Sequence, residues 1–136
     1  KSLLISWSQV RFLPRAPNQQ IGQVEPLAHE GLLRLFLKAY ETKDLELISS
    51  LLAPNVVLRD WNLQVEGKEE ALREFAKNFE QAASLSIEID RIYSSELGVA
   101  AEIEIIVNGV ERLRVVDVLS LNQELKVKAI VSYRGL

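Results

Sequence analysis

Residues 100–121 read AAEIEIIVNGVERLRVVDVLSL, two stretches of alternating apolar and polar residues joined by Asn108-Gly109. An Asn-Gly pair between such stretches is the strongest short signal for a β-hairpin, because both residues tolerate positive φ. Similar alternation covers about 85–93 before the hairpin and 125–133 after it. The sequence therefore predicts four antiparallel strands in the C-terminal part of the chain.

Helical spacing of apolar residues marks the part of the chain before these strands. The pattern indicates one helix that starts near Pro26, a short second helix at 45–52 and a third helix at 68–82. Between the second and third helices, 56–61 and 64–65 indicate two strands. The element order α-α-β-β-α-β-β-β-β predicts an α+β fold whose helices cover one face of a curved, mostly antiparallel sheet.

The composition limits the classes of function. At 136 residues the chain suits one domain, and its net charge of -3 does not favour nucleic acid or an anionic membrane as a partner. No apolar run reaches the roughly 20 residues that span a bilayer. With no cysteine and one histidine, the chain has no thiolate or multi-histidine metal site, and we expect no metal and no cofactor. Without a targeting signal, a cytoplasmic protein is expected.

The first 24 residues differ from the rest of the sequence. They contain two prolines and have neither helical nor strand periodicity, so we expect an N-terminal extension at 1–24 and a single domain at 25–136. The extension resembles the product of a reading frame that runs through the end of a transfer-RNA gene. Alternatively, it is an arm that packs on the domain or on a second subunit. Because the sequence contains no methionine, Lys1 is not expected to be a translation start.

Two aspartates occupy positions that alternation assigns to apolar faces of strands. Asp60 shares a face with Leu58, and Asp117 shares one with Val115 and Leu119. A carboxylate on an apolar face is costly unless it is paired, hydrogen-bonded or neutral. Carboxylates held in this way are candidates for acid–base catalysis.

The opposite face of the same sheet is also apolar in places. Val116 and Val118 point away from Asp117, and Ile106 and Ile130 lie on neighbouring strands. Because the helices can cover only one face, we expect these four apolar residues to be covered by a second subunit in a symmetric homodimer. The alternative is a modest exposed apolar patch.

The domain resembles the cone-shaped α+β superfamily of nuclear transport factor 2, ketosteroid isomerase and the SnoaL-like polyketide cyclases. The resemblance covers about 25–135 and rests on the element order and on five local patterns. These are FLKAY (36–40), KDLELI (43–48), LAPNV (52–56), GKEEAL (67–72) and VVDVL (115–119). It implies that the sheet forms a cone-like half barrel closed by the three helices. It does not select one activity, because this fold hosts isomerases, cyclases, hydrolases and non-enzymes.

Within the superfamily, the ketosteroid isomerases offer the most specific match. The resemblance places Asp60 where they carry the catalytic base and Asp117 where they carry a protonated aspartate of the oxyanion hole. Two tyrosines of the isomerases are missing. Phe36 stands at the position of the catalytic tyrosine, and Ala76 at that of the tyrosine that supports it. Because phenylalanine cannot donate a hydrogen bond, we expect different chemistry in a related pocket, or binding alone.

The resemblance implies a pocket between the helices and the sheet for a small, apolar, carbonyl-containing molecule, with Asp60 as base and Asp117 as acid or oxyanion donor. His29 shares a helical face with Leu33 and is expected near the pocket mouth or simply partly exposed. Trp61 lines the pocket if a bulge turns it inward. The predicted lining residues are Phe36, Tyr40, Trp61, His29, Leu33, Leu58, Val115 and Leu119.

Two alternative functions are considered. The domain could be a non-catalytic ligand-binding or dimeric association module, in which Asp117 is a structural carboxyl and Asp60 caps a turn. It could also resemble the limonene-epoxide-hydrolase-like branch, which uses an Asp-Arg-Asp arrangement around a water. The chain has Arg59, Arg112 and Arg114, but alternation makes all three point away from the sheet face that carries the aspartates, which weakens this second alternative.

Overall fold

The computed structural model describes residues 24–135. Their three helices and six strands are α1 (Val24–Glu41), α2 (Leu45–Leu51), β1 (Leu52–Arg59), β2 (Gln64–Glu66), α3 (Lys68–Gln81), β3 (Leu85–Ser94), β4 (Gly98–Val107), β5 (Glu111–Leu121) and β6 (Val127–Arg134). This order is the predicted one. Apart from Val24, the proposed N-terminal extension at 1–24 lies outside the described residues. None of the three helices is long and apolar enough to cross a membrane.

The six strands join one open sheet in the order β2-β1-β6-β5-β4-β3. Every pairing is antiparallel except that of β1 with β6, which is parallel. The hairpin between β4 and β5 has the predicted turn: Asn108 and Gly109 have φ angles of 54° and 74°, and Val110 N donates to Val107 O at 3.1 Å. The predicted α+β fold with a mostly antiparallel sheet is confirmed.

The helices pack on one face of the sheet and form the core with it. α1 lies against β3 and β4, and α3 lies against β1. Four aromatic side chains meet where α1 approaches α3. Tyr40 makes edge-to-face contacts with Phe75 and Phe79 at centroid distances of 5.9 and 5.0 Å, and Phe36 contacts Phe75 at 6.0 Å. Because such rings bury large apolar areas, they hold the two helices above the sheet.

Pairing between strands decides which side chains face the helices, because residues directly opposite each other share a face. On β5, Asp117 and Leu119 face inward and are buried, as alternation predicts. One expectation about the outer face is corrected. Ile130 pairs with the inward Leu119, so it faces the helices and is 2% exposed. Val131, which pairs with Val118, takes its place on the outer face.

Candidate functional site

A cavity of about 410 Å³ lies between the helices and the inner face of the sheet. Its lining comes from α1, α3, the turn after β1 and the inner faces of five strands, so no single segment of the chain forms it. The volume is that of a site for a small organic molecule. The polar lining residues are Tyr40, Asp60, Asn62, Glu74, Asn78, Gln81, Asn108, Glu111, Asp117 and Ser132.

Asp117 lies in the cavity wall on β5. The residue is 7% exposed, and Ser132 on the neighbouring strand β6 donates its hydroxyl hydrogen to Oδ1 at 2.6 Å. Burial raises the pKa of Asp117 to about 6, and the hydrogen bond from Ser132 opposes that rise. Asp117 can therefore exchange a proton near neutral pH, which is a property of a general acid or base.

Asp60 has two environments, one on each side of its carboxylate. Strand β1 ends at Arg59, and Oδ1 of Asp60 then accepts hydrogen bonds from the backbone N–H groups of Asn62 and Leu63 at 2.7 and 3.0 Å. Asp60 N donates to Leu63 O at 3.0 Å, which closes the turn. Oδ2 accepts no hydrogen bond from any described residue, and Asp60 lines the cavity. The side chain therefore caps a turn and is also available to a ligand.

Tyr40 brings a hydroxyl group to the same cavity from α1. Asn78 on α3 donates to the hydroxyl oxygen at 3.4 Å. Burial raises the pKa of Tyr40, the hydrogen bond from Asn78 lowers it, and the charges of Asp117 and Asp60 raise it further. The hydroxyl stays protonated at neutral pH and can donate a hydrogen bond to a bound molecule. Phe36, one turn earlier on α1, is 2% exposed and offers only its ring.

The predicted lining residues separate into two groups. Those at the cavity are Phe36, Tyr40, Leu58, Trp61 and Val115. Leu33 and Leu119 are fully buried in the core and do not line the cavity. His29, expected near the pocket mouth or partly exposed, is instead 3% exposed, and its Nδ1 donates to Ser95 O at 2.8 Å. It joins α1 to the connection between β3 and β4 and does not line the cavity.

Trp61 reaches the cavity through the turn after β1. The residue is 43% exposed, so it forms part of the rim, and the Arg134 guanidinium carbon lies 5.8 Å from its ring centroid. Because β1 ends at Arg59, the turn that Asp60 caps, and not a bulge within the strand, brings Trp61 to this rim.

Several polar residues of the cavity were missed from the sequence. Glu74 and Asn78 share a face of α3 with Phe75, and helical spacing could have indicated them. Ser132 follows the inward Ile130 by two positions on β6, so alternation could have indicated it once the register of β6 was known. Glu111 shares a face of β5 with Leu113 and Asp117, so alternation within that strand could have indicated it.

Arg59, Arg112 and Arg114 lie on the other face of the sheet, whereas Arg134 pairs with the inward Val115 and lies beside Trp61. Arg112 and Arg114 form ion pairs with Glu104, and Arg114 is also 3.6 Å from Asp90. The Arg59 guanidinium carbon lies 5.9 Å from the ring centroid of Tyr133. In the described part of the chain, no Arg, Lys or His lines the cavity. The same part of the chain holds no group of three His, Cys, Asp or Glu residues arranged to hold a metal ion.

Solved structures define the class to which this fold belongs. An NTF2-like protein of unknown function from Cytophaga hutchinsonii ATCC 33406 superposes with a TM-score of 0.67 and 15% identity, over 79% of this chain and 89% of that one. A candidate ketosteroid isomerase from Kribbella flavida DSM 17836 superposes with a TM-score of 0.68 and 18% identity, over 78% of this chain and 76% of that one. The epoxide hydrolase/cyclase-like enzyme SalBIII has a role in pyran ring formation in the polyether salinomycin. It superposes with a TM-score of 0.70 and 17% identity, over 81% of this chain and 92% of that one. The fold is therefore the NTF2-like α+β cone.

The sequence identifies the family within that class. Residues 33–129 match the SnoaL-like domain, so the chain belongs to the SnoaL-like domain family. No match was found among curated proteins. The predicted relationship to the nuclear transport factor 2, ketosteroid isomerase and SnoaL-like superfamily is thereby confirmed.

Proposed function

We propose that this protein is an enzyme that moves a proton on a small, largely apolar carbonyl compound by carboxylate acid–base chemistry. The observation that carries the proposal is Asp117, a carboxyl group buried in the wall of a 410 Å³ cavity with a pKa of about 6. Groups with pKa values near the working pH are the most effective proton donors and acceptors. No metal or cofactor is part of the proposal.

Asp60 is the proposed base. Its Oδ2 has no hydrogen-bond partner in the described residues, whereas Oδ1 is held by the two backbone N–H groups of its turn. The turn therefore fixes the carboxylate while one oxygen stays free to take a proton from the carbon next to a carbonyl. Such positioning lowers the entropic cost of proton transfer.

Asp117 and Tyr40 are the proposed donors to the carbonyl oxygen. As a proton leaves the neighbouring carbon, negative charge develops on that oxygen, and donors aimed at it stabilise the transition state. A bound apolar ligand displaces water from Asp117, and this favours its protonated form further. Tyr40 supplies a hydroxyl one helical turn from Phe36, and so provides a second donor although Phe36 has none.

The alternative is a binding module that uses the same cavity without chemistry. The hydrogen bonds of the Asp60 turn are compatible with a purely structural role for that residue. An epoxide-hydrolase-like reaction is less well supported, because Arg59, Arg112 and Arg114 lie on the outer face and no described arginine lines the cavity.

Deuterium exchange tests the proposed proton transfer without knowledge of the natural substrate. We would incubate cyclic and aromatic ketones with the protein in D₂O and follow loss of the α-proton signal by NMR. Asp60→Asn and Asp117→Asn are each expected to lower the catalysed exchange by about 100-fold or more, because each removes a proton-transfer group while its shape is retained.

Glu124→Gln is the matched control for this experiment. It removes one negative charge from an exposed residue in the turn between β5 and β6, which does not line the cavity. Its exchange rate should equal that of the wild type. If both aspartate variants exchange as fast as the wild type, the proposed proton transfer is wrong and the protein is better described as a binding module.

We also propose that two copies of the chain associate through the outer sheet face, where Val116, Val118, Val131 and Ile106 are half-buried in the single chain. Light scattering should give twice the mass of one chain. Val118→Lys should yield monomers, because a charge at the centre of an apolar interface is costly. Ser50→Lys, on the exposed side of α2, should remain dimeric. A monomeric wild-type protein would refute the dimer.

A further inference from the structure

Ser132 has no task of its own in the proposed proton transfer, although it is the direct neighbour of Asp117. The two residues stand opposite each other on β6 and β5, and both line the cavity. Ser132 Oγ donates to Asp117 Oδ1 at 2.6 Å, a distance typical of a hydroxyl that donates to a carboxylate. Because each partner belongs to a paired strand, the sheet fixes their geometry.

The second carboxyl oxygen of Asp117 has a different environment. Oδ2 accepts no hydrogen bond from any described residue. In the described part of the chain, Glu74 Oε2 is the one polar side-chain atom of a non-exposed residue that is both shielded from solvent and without a partner. Oδ2 of Asp117 is therefore not shielded. Since Asp117 is 7% exposed and lines the cavity, this oxygen opens onto the space for a ligand.

A neutral carboxyl group carries one hydrogen, on one of its two oxygens. While Ser132 donates to Oδ1, the space between these two oxygens holds the hydroxyl hydrogen, so the carboxyl hydrogen belongs on Oδ2. We infer that Ser132 is a positioning residue, which holds Oδ1 as an acceptor so that Oδ2 presents the carboxyl hydrogen to the ligand. The inference rests on the proposed function in taking the carbonyl oxygen of the substrate as the acceptor of that hydrogen.

The charged groups around Asp117 give Ser132 a second effect, on the pH range of the site. The titratable groups that line the same cavity are Tyr40 on α1, Glu74 on α3, Asp60 after β1 and Glu111 on β5. Beside the cavity, Lys43 donates to Ala82 O, Lys77 pairs with Glu74, and Arg134 lies against the Trp61 ring. None of the ion pairs in the described residues includes Asp117. Burial raises the pKa of Asp117, and the hydrogen bond from Ser132 opposes it.

A carboxyl titration tests the inference without any substrate. Ser132→Thr and Ser132→Val have nearly the same shape and differ in the hydroxyl group. We would label the aspartate carboxyl carbons with ¹³C and follow them by NMR, with Asp117→Asn identifying the signal of Asp117. The pKa of Asp117 should rise in Ser132→Val and in the smaller Ser132→Ala, and should stay near the wild-type value in Ser132→Thr. Ser120→Val, the same change on β5 outside the cavity, should leave it unchanged.

The direction of the shift shows which oxygen carries the hydrogen. If Oδ1 carried it and donated to Ser132, the hydroxyl would stabilise the neutral carboxyl, and its removal would lower the pKa of Asp117. A lower or unchanged pKa in Ser132→Ala and Ser132→Val would therefore overturn the inference. A threonine variant that titrates like the valine variant would overturn it as well.

Deuterium exchange of ketones then tests the positioning effect. In the wild type, catalysed exchange should fall as the pH rises through the pKa of Asp117, because the donor must be neutral. In Ser132→Val this fall should move to higher pH, and the rate below it should drop about tenfold, because the carboxyl hydrogen is no longer confined to Oδ2. Threonine should restore both. An unchanged rate and pH profile in Ser132→Val would contradict the positioning role. If the wild type catalyses no exchange, the proposed function fails, and the titration alone decides the role of Ser132.

Discussion

The Asp117→Asn variant is expected to be more stable than the wild type at pH 7 by about 1–3 kcal/mol, while losing about 10²–10⁴ in rate. The gain arises because burial makes the carboxylate form of Asp117 costly, and asparagine has the same shape without the charge. Ser132 can still donate to the amide oxygen, so the hydrogen bond of the native protein is kept. A gain in stability with a loss of activity is the behaviour of a functional residue.

The pH dependence of this gain follows from the pKa of Asp117 in the two states. The pKa of Asp117 is about 6 in the folded protein, against 3.8 for an unperturbed aspartate, and this difference limits the gain in stability to about 3 kcal/mol. Between pH 3.8 and about 6, Asp117 keeps its proton in the folded protein and has lost it in the unfolded protein. The stability contributed by the neutral carboxyl is therefore fully present below pH 3.8 and is lost as the pH rises through about 6.

Urea unfolding at several pH values would measure this effect. The difference between Asp117→Asn and the wild type should be largest at pH 7 and smallest near pH 4, where the carboxyl of the folded wild type is neutral. Glu124→Gln should show no comparable change across this range. An asparagine variant that is less stable than the wild type at pH 7 would mean that donors hold the carboxylate in place, and Asp117 would then be a structural residue.

Gly98→Ala is expected to destabilise the protein by about 3 kcal/mol or more, or to prevent folding. Gly98 is buried at the first residue of β4 and pairs with Ser120 on β5. A Cβ atom there would overlap the carbonyl oxygen of Leu119, deep inside van der Waals contact. Because that oxygen belongs to the backbone in the middle of the sheet, neither strand can move without disturbing its hydrogen bonds.

Gly31→Ala is the matched substitution for comparison. Gly31 lies within α1, and beyond its chain neighbours and the local helix backbone no atom of the described residues lies within 4 Å of a Cβ built there. Alanine should therefore stabilise the helix by about 0.5–1 kcal/mol, because it loses less backbone entropy than glycine on folding. Thermal and chemical unfolding of both variants would be compared. If Gly98→Ala unfolds at the same denaturant concentration as the wild type, β4 and β5 do not approach each other too closely for a Cβ atom at this position.

The fold was largely predictable because its signals are local. The hairpin at Asn108-Gly109 needs two residues with positive φ, and the sequence supplies two that tolerate it. The inward orientation of Asp117 follows from alternation within one strand. The helix pattern likewise depends on residues three and four positions apart. Each of these features could be inferred without knowing which strands pair with which.

The candidate site was only partly predictable. Ile130 was placed on the wrong face because its orientation depends on the pairing of β6 with β5, and a shift of one residue reverses every side chain of a strand. His29 was expected near the pocket mouth or exposed because helical spacing gives a direction but no partner, and its partner is a backbone oxygen 66 residues away. Glu74 was not among the predicted site residues, although helical spacing places it beside Phe75 on α3.

By itself, the sequence determined the element order, the antiparallel hairpin, and the presence of a carboxyl on the inner face of β5. Only the tertiary structure decided that Asp60, Glu74, Glu111 and Asp117 line one cavity without a described cation among its walls. The physical reason is that periodicity reports the face of a single element. A shared cavity, and the burial that raises the pKa of Asp117, depend instead on the packing of segments that are far apart in the chain.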